Sequence, residues 1–278
     1  MWRLASAPMW RTLLILTFGA MALPVARAQS GEEVPFITTP DHVTLAMLRL
    51  ANVKPRDRVL DLGSGDGRIV ITAARHFGAS GHGVEIVPEL VERSRANAQK
   101  AGVSARATFA VQDLFTSELS GYSVVTMYLL PEVNLQLRPK LLALAPGTRI
   151  VSHDWDMGDW ASERTITLDV PDKAVGREKL SRLHLWVVPA RVQGLWCARG
   201  ASLALTQRYQ VVDAKLVHGR NSWGLGGRLD GASLALHGSA RQTLRARVDG
   251  DRLLLQNAQA TWKGLARDFR RAAGSACP

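Results

Sequence analysis

Residues 58–67 read Arg-Val-Leu-Asp-Leu-Gly-Ser-Gly-Asp-Gly, and this stretch decides the fold of the chain. Val59 and Leu60 are typical of a buried strand, and the apolar residues within 69–74 are typical of a helix that follows it. The glycine-rich turn between them lets the backbone approach a ligand closely and directs free N–H groups of the helix at it. The glycines are spaced G-x-G-x-G behind an acid, which differs from the G-x-G-x-x-G of dinucleotide sites. The spacing therefore argues against a nicotinamide dinucleotide.

Two further acids follow the next predicted strands. Glu85 lies near the end of a strand predicted over 83–86, about 20 residues beyond the glycines, where an acid accepts hydrogen bonds from ribose hydroxyls. Asp113 follows a strand predicted over 107–111, where a carboxylate can accept from an adenine amino group. Because the carboxyl ends of parallel strands share one sheet edge, these acids and the glycines indicate S-adenosylmethionine as the ligand. Ordinary loop acids are the alternative.

The order of predicted elements indicates an α/β fold. Helices are predicted over 68–76, 88–101 and 131–144, each after a strand, and an earlier helix is predicted to start with Thr39 as its N-cap. This alternation is typical of a Rossmann-like, doubly wound sheet with helices on both faces. Its seven strands are predicted over 58–62, 83–86, 107–111, 123–128, 148–152, 163–169 and 182–188.

These motifs resemble those of the class I S-adenosylmethionine-dependent methyltransferases. Within that class the chain is similar to the family of the ATP synthase c-subunit lysine methyltransferases and their bacterial relatives, through the segments 35–40 (Pro-Phe-Ile-Thr-Thr-Pro), 61–68 and 128–131 (Tyr-Leu-Leu-Pro). The resemblance covers a domain at residues 35–189 and implies an antiparallel seventh strand. It also implies that S-adenosylmethionine is held by Asp61, Gly63, Ser64, Gly65, Gly67, Glu85 and Asp113.

The acceptor is predicted to lie beside the ends of the fourth and fifth strands. Methyl transfer requires an aligned nucleophile and, for an amine, a neutral nitrogen. Met127 or Tyr128 is predicted to line the site of the methyl group, and Glu132 or Asn134 to orient an amine; a first-turn helix acid is the alternative for Glu132. His153 is predicted to take a proton from the nucleophile, with packing against Trp155 as its alternative. The acceptor is predicted to be a protein or a small molecule.

The first 28 residues have the pattern of a signal peptide. Arg3 and Arg11 precede an apolar run over 13–25, and Ala26-Arg27-Ala28 offers a cleavage site. The chain is therefore predicted to be exported to the periplasm, or attached to a membrane if this segment is not cleaved. Because S-adenosylmethionine is made in the cytoplasm, an exported non-catalytic ligand-binding or scaffold protein with the same fold is the rival function.

Residues 190–278 are predicted to form a small antiparallel β domain. Their short alternating runs replace the helical periodicity, and an Asp-Gly turn at 249–250 indicates a hairpin. From residue 191 onward the chain has 14 Arg or Lys and 5 Asp, so this domain carries most of the net charge of +11. An anionic membrane surface is a predicted partner, and a solvated basic face is the plain alternative. Nucleic acid is disfavoured because aromatic residues do not alternate with the basic ones.

The two cysteines, Cys197 and Cys277, are predicted to form a disulfide if the chain is exported and to stay unpaired if it is cytoplasmic. They form no C-x-x-C motif, and the seven histidines have no metal-ligand spacing. The sequence therefore predicts no metal site.

Overall fold

The computed structural model describes residues 37–173, 178–239, 241–258 and 262–277, with the side chains of 257 and 258 left aside. The predicted signal peptide, residues 1–28, lies outside these ranges, as do the first two residues of the segment 35–40. The described residues form a mixed sheet with its helices, followed by a closed barrel.

The sheet has seven strands in the order β3-β2-β1-β4-β5-β7-β6, which confirms the predicted methyltransferase-type α/β fold. Strands β1 to β5 are parallel, and β7 is antiparallel to both of its neighbours. The strands are β1 (Arg58–Leu62), β2 (Ser80–Glu85), β3 (Ala107–Val111), β4 (Val124–Met127), β5 (Arg149–His153), β6 (Arg164–Asp169) and β7 (Leu180–Val187). The helices are α1 (Asp41–Leu50), α2 (Arg68–Phe77), α3 (Pro88–Lys100) and α4 (Pro131–Leu141).

Strand β1 explains why the sheet is covered on both faces. Val59 packs in one apolar cluster with residues of α1 and α2, whereas Leu60 and Leu62 pack in another with residues of α4. Successive side chains of a strand point to opposite faces, so an apolar run of this kind requires helices on each side. Among the described residues, no helix combines the length and the apolar composition that a bilayer crossing requires.

Helix α1 begins differently from the prediction. The predicted N-cap Thr39 makes no cap; Pro40 precedes the helix, which starts at Asp41 without a side-chain cap. The Thr39 hydroxyl instead lies 3.2 Å from His153 Nδ1, at the end of β5. A contact between residues so far apart in sequence outcompetes the local capping preference.

The predicted β domain closes into an eight-stranded antiparallel barrel. Its sheet order is β10-β11-β12-β13-β14-β15-β8-β9, so the first and last strands pair with each other. Alternate residues point inward and fill the barrel with apolar side chains, Trp196 and Phe269 among them. The strands are β8 (Gly194–Ala198), β9 (Ala201–Arg208), β10 (Val211–His218), β11 (Asn221–Asp230), β12 (Ser233–His237), β13 (Thr243–Asp249), β14 (Arg252–Ala258) and β15 (Asp268–Arg271).

The two ends of the barrel have different surroundings. Because neighbouring strands are antiparallel, the connections β9–β10, β11–β12 and β13–β14 lie at one end, which we call proximal, and the other four lie at the distal end. The proximal end contacts the loop between β5 and β6: Trp160 Nε1 donates to Gln210 Oε1 (3.1 Å), and Gln210 Nε2 donates to the Ala161 carbonyl (2.7 Å). Both parts belong to one compact unit, Phe36–Pro278.

Cys197 in β8 and Cys277 beyond β15 form a disulfide in this structure. The bond joins residues 80 positions apart and fastens the C-terminal tail to the strand that closes the barrel.

Candidate cofactor and acceptor site

The carboxyl ends of five neighbouring strands bring the predicted site residues to one edge of the sheet. The glycine turn follows β1, Glu85 ends β2, Asp113 follows β3, Tyr128 follows β4 and His153 ends β5. This edge is where doubly wound sheets bind their ligands.

The glycine turn has a backbone that only glycine adopts easily. Gly63, Gly65 and Gly67 have φ angles of 72°, 53° and 81°, in the left-handed region. At Gly67 a Cβ would also lie 2.7 Å from both Phe109 Cζ and Ser94 Cβ, so a side chain has no room there. The backbone can therefore pass directly beneath a ligand. Ser64 lies in the same turn with its hydroxyl buried and without a hydrogen-bond partner among the described residues.

Glu85 ties the ends of β1 and β2 together. Its Oε2 accepts from the Gly65 N–H (3.0 Å), and its Oε1 accepts from the N–H groups of Ile86 (2.8 Å) and Val87 (3.1 Å). A carboxylate has about four lone-pair positions, so one position on Oε2 can still accept from a ribose hydroxyl. The Glu85 side chain thus both shapes the glycine turn and offers an acceptor beside it.

Asp113 lies exposed after β3. Its Oδ1 accepts from the Phe115 N–H at 2.8 Å and forms a turn. Glu132 is exposed in the first turn of α4, the position that its alternative interpretation predicts. The adenine contact of Asp113 and the amine contact of Glu132 stay predictions.

Exposed apolar side chains lie at the same edge of the sheet as the cofactor residues. No pattern in the sequence predicted them. Ile86, Val111 and Phe115 are 66%, 50% and 38% exposed next to Glu85 and Asp113. Large exposed apolar groups that cluster around polar ones are typical of ligand sites. An adenine ring between these side chains would cover them.

Asp61 is buried beneath the glycine turn, and its Oδ1 accepts from the Thr126 hydroxyl at 2.7 Å. Burial, together with the negative charges of Glu85 and Asp66, raises the pKa of Asp61 to about 8. A cationic group placed against this carboxylate would restore its ionised form. The ammonium of a bound amino acid is such a group, which fits the methionine end of S-adenosylmethionine.

Replacing Asp61 by asparagine is expected to stabilise the ligand-free protein by about 2 kcal/mol at pH 7 and to weaken cofactor binding by about 10-fold. Between the unfolded pKa of 3.8 and the folded pKa of about 8, the unfolded chain is ionised while the folded site holds a proton. This difference lowers stability as pH rises through that window, and asparagine does not titrate. Urea unfolding at pH 5 and pH 7.5 measures the effect. A stability gap between the two proteins that stays the same at both pH values would contradict it.

The acceptor side of the edge is a cluster around Tyr128. The Tyr128 hydroxyl donates to Asp154 Oδ2 (3.2 Å), and the Tyr128 and His153 rings lie 3.9 Å apart between centroids. Lys173 Nζ lies 2.7 Å from the same Asp154 oxygen and also donates to the Leu180 carbonyl. Burial and the Asp154 charge raise the pKa of Tyr128, so this hydroxyl stays protonated.

His153 is enclosed and engaged at both ring nitrogens. Nδ1 lies 3.2 Å from the Thr39 hydroxyl, and Nε2 lies 2.8 Å from the Ser181 hydroxyl. Burial lowers the pKa of His153 to about 4, so the ring is neutral near pH 7. The ring also lies against Tyr128 at an interplanar angle of 32°, and its alternative packing against Trp155 stays a prediction. These contacts suit a residue that positions Tyr128; the proton transfer proposed for His153 stays a prediction.

Asn134 lies wholly buried in α4. Its Nδ2 donates to Ser152 Oγ and to the carbonyls of Trp155 and Asp156, each at 3.2 Å. Asn134 thus braces the loop after β5 in this structure, and its predicted contact with an acceptor amine stays a prediction. Within the described residues, no three His, Cys, Asp or Glu side chains are placed to hold a metal ion.

Sequence reasoning missed Lys173, Thr39 and Ser181 in this cluster. The signal for Thr39 was present in the segment 35–40, but it was interpreted as a helix cap. Ser181 and Lys173 come from the β6–β7 region, and no local pattern in the sequence marks them.

Comparisons with known proteins agree with this geometry. The family model described as the ANTKMT methyltransferase domain matches residues 61–164, an interval that contains every predicted cofactor and acceptor residue. A protein-lysine N-methyltransferase of Saccharolobus islandicus (strain REY15A) is 44% identical over 138 residues, which make up 49% of this chain and 86% of that relative. The ATP synthase c-subunit lysine N-methyltransferase of Mus musculus is 34% identical over 153 residues, 54% of this chain and 61% of that relative.

A solved structure is also similar. The crystal structure of an RNA methyltransferase from Salinibacter ruber in complex with S-adenosyl-L-homocysteine is 47% identical, with a TM-score of 0.51. The match covers 56% of this chain and 96% of the Salinibacter ruber chain.

Proposed function

Because this chain belongs to the family of S-adenosylmethionine-dependent methyltransferases that carry the ANTKMT methyltransferase domain, we propose that its methyl acceptor is a lysine side chain of a protein. The observation that carries the proposal is the Asp154 carboxylate, which already holds a lysine ammonium of the chain itself. Lys173 Nζ lies 2.7 Å from Asp154 Oδ2, directly after the end of β5. A substrate lysine has the same chemistry and can take the same partner.

The ionised state of Asp154 supports its proposed role in binding the substrate amine. Burial raises the pKa of Asp154, but the hydrogen bond from Lys173 and the nearby positive charge outweigh it, and the pKa stays below its ordinary value. An ionised carboxylate attracts an incoming ammonium. Once the ammonium has released a proton to solvent water, the Tyr128 hydroxyl oxygen, whose proton points to Asp154, can accept from a remaining N–H and orient the nitrogen. Bound S-adenosylmethionine supplies the methyl group as an electrophilic sulfonium substituent. The chain's part is to align the amine and keep water away.

Exposed apolar residues near Asp154 favour a protein acceptor. Leu130 and Leu135 at the start of α4 are each 44% exposed, and Trp155 is 43% exposed. The Asn134 side chain, which binds the Trp155 carbonyl, keeps the start of α4 and this loop together. Apolar patches of this kind are typical of protein interfaces. We extend the proposal to a membrane-associated protein as the substrate, which the apolar run at 13–25 supports.

Asp154→Asn is expected to lower kcat/KM for protein methylation by about 10-fold or more while the affinity for S-adenosylmethionine stays unchanged, because it removes the charge that attracts the amine. The measurement is the transfer of labelled methyl groups to membrane proteins, soluble proteins and total RNA of the source cells, followed by mass spectrometry of the labelled fraction. Asp156→Asn, on the same loop and exposed, is the matched control.

Label found on RNA and absent from protein would replace lysine with RNA as the acceptor. RNA is the second candidate because the similar Salinibacter ruber protein is named an RNA methyltransferase. An Asp154→Asn variant with full activity on protein would remove Asp154 from the proposed acceptor site.

We also propose that the chain is exported or membrane-attached. The signal-peptide pattern of residues 1–28 supports this, and the Cys197–Cys277 disulfide supports an oxidising compartment.

A further inference from the structure

The distal end of the barrel collects basic residues. All four connections at that end contain an exposed arginine or lysine: Arg199 between β8 and β9, Arg220 between β10 and β11, Arg241 between β12 and β13, and Lys263 between β14 and β15. We call these four residues the distal cap. They come from four separate connections, which the closed barrel places at one end.

The acidic residues of the barrel lie away from the distal cap. None of the four distal connections contains Asp or Glu in its sequence. Asp230, Asp249 and Asp251 lie at proximal connections, Asp213 lies near the proximal start of β10, and Asp268 pairs with Arg252. The segregation leaves the distal cap with a single sign of charge.

Several barrel cations away from the distal cap are neutralised by an acidic partner. Arg208 and Arg228 pair with Asp159 and Glu163 of the β5–β6 loop, and Arg271 pairs with Asp251. In the part of the chain that the structure describes, no ion pair includes a residue of the distal cap.

The barrel does not need these charges for its fold. Beneath the distal cap, Trp262 and Trp223 pack edge to face with ring centroids 5.2 Å apart, and Trp262 Nε1 donates to the Thr243 carbonyl. Trp262 is 2% exposed, so the apolar interior is closed below the charged loops. Like charges at one end of the barrel repel one another, and an anionic partner would relieve this repulsion.

We propose that the distal cap docks on an anionic lipid bilayer. Loop tips at the end of one closed barrel can reach a plane together, and each Lys or Arg near an anionic membrane surface adds to the attraction. A single-stranded nucleic acid fits less well, because it requires exposed aromatic rings for base stacking; near the cap, Trp262 is buried and Trp223 is partly buried against the barrel core. Bound this way, the barrel would hold the methyltransferase sheet on the side away from the membrane, since the sheet contacts the proximal end.

The test compares the full chain with two variants of equal net charge. One replaces Arg199, Arg220, Arg241 and Lys263 by serine. The control replaces Lys215, Arg245, Arg247 and Arg270 by serine; these exposed cations lie on the barrel wall and form no ion pair among the described residues. Cosedimentation is measured with vesicles of phosphatidylcholine alone and with vesicles that also contain phosphatidylglycerol, and binding of a single-stranded RNA oligonucleotide is measured in parallel.

We expect the cap variant to lose at least about 10-fold in affinity for the phosphatidylglycerol vesicles and the wall variant to lose less than about 3-fold. Binding to phosphatidylcholine alone, which reports any contribution of the apolar run at 13–25, should be equal in all three proteins. The difference should shrink at high salt. Equal losses in both variants, no loss in either, or a cap-dependent affinity for RNA and none for vesicles would each overturn the proposal. Circular dichroism spectra and urea unfolding midpoints that match those of the unmodified protein confirm that the variants are folded.

Discussion

Replacing Glu85 by alanine is expected to reduce the affinity for S-adenosylmethionine by at least about 100-fold. The change removes the acceptor available to the ribose and also the partner of the Gly65 N–H, so the glycine turn loses its tie to β2. Hydrogen bonds to a charged group contribute about 1.5–3 kcal/mol each, and two such losses account for the expected factor. Isothermal titration with S-adenosylmethionine measures it.

The control for this prediction is Glu92→Ala. Glu92 is exposed on α3, the helix that follows Glu85, and the substitution removes the same charge and the same side-chain atoms. Its affinity should match that of the unmodified protein. A Glu85→Ala protein that is folded by circular dichroism and binds within about 3-fold of the unmodified chain would rule out the assigned role of Glu85.

Reduction of the Cys197–Cys277 disulfide is expected to lower the free energy of unfolding by about 4 kcal/mol. The bond closes a loop of 80 residues, and without it the unfolded chain gains the corresponding conformational entropy. The folded sheet should keep its affinity for S-adenosylmethionine, because both cysteines belong to the barrel and its tail. Urea unfolding with and without a reductant measures the loss.

A Cys197→Ser/Cys277→Ser double variant separates the disulfide from other effects of the reductant. It should be as unstable as the reduced protein and insensitive to reductant. Alkylation of free thiols in intact cells then tests the compartment, because an exported chain should carry both cysteines oxidised. Two free thiols in cells would contradict the export proposal.

Local patterns predicted most of the sheet. The run from β1 through the glycine turn into α2 is recognisable because strand, turn and helix each show their own periodicity over a few residues. Strands β8 and β15 were not predicted. Each is short, with 5 and 4 residues, and each is stabilised by a partner at the other end of the barrel sequence. No local signal reports such pairing, so the closure of the barrel was not predictable from the sequence alone.

The residues of the candidate site also form two groups, one predictable from the local sequence and one not. The glycines and Glu85 follow a motif with fixed spacing, and the structure places them together as that spacing predicts. The surroundings of His153 depend on Thr39, 114 positions away, and on Ser181, 28 positions away. Which hydroxyls reach a buried imidazole is decided by the packing of α1 and β7 against β5, and that packing has no counterpart in the local sequence.

Because β8 and β15 pair side by side, the polypeptide enters and leaves the barrel at nearly the same point. A segment with adjacent ends can be inserted into a gene or lost from it without separating the residues on either side. The matched methyltransferase domain ends at residue 164, before the first strand of this segment. The barrel is therefore suited to transfer between related enzymes as one unit. A relative that received it would also receive its basic distal end.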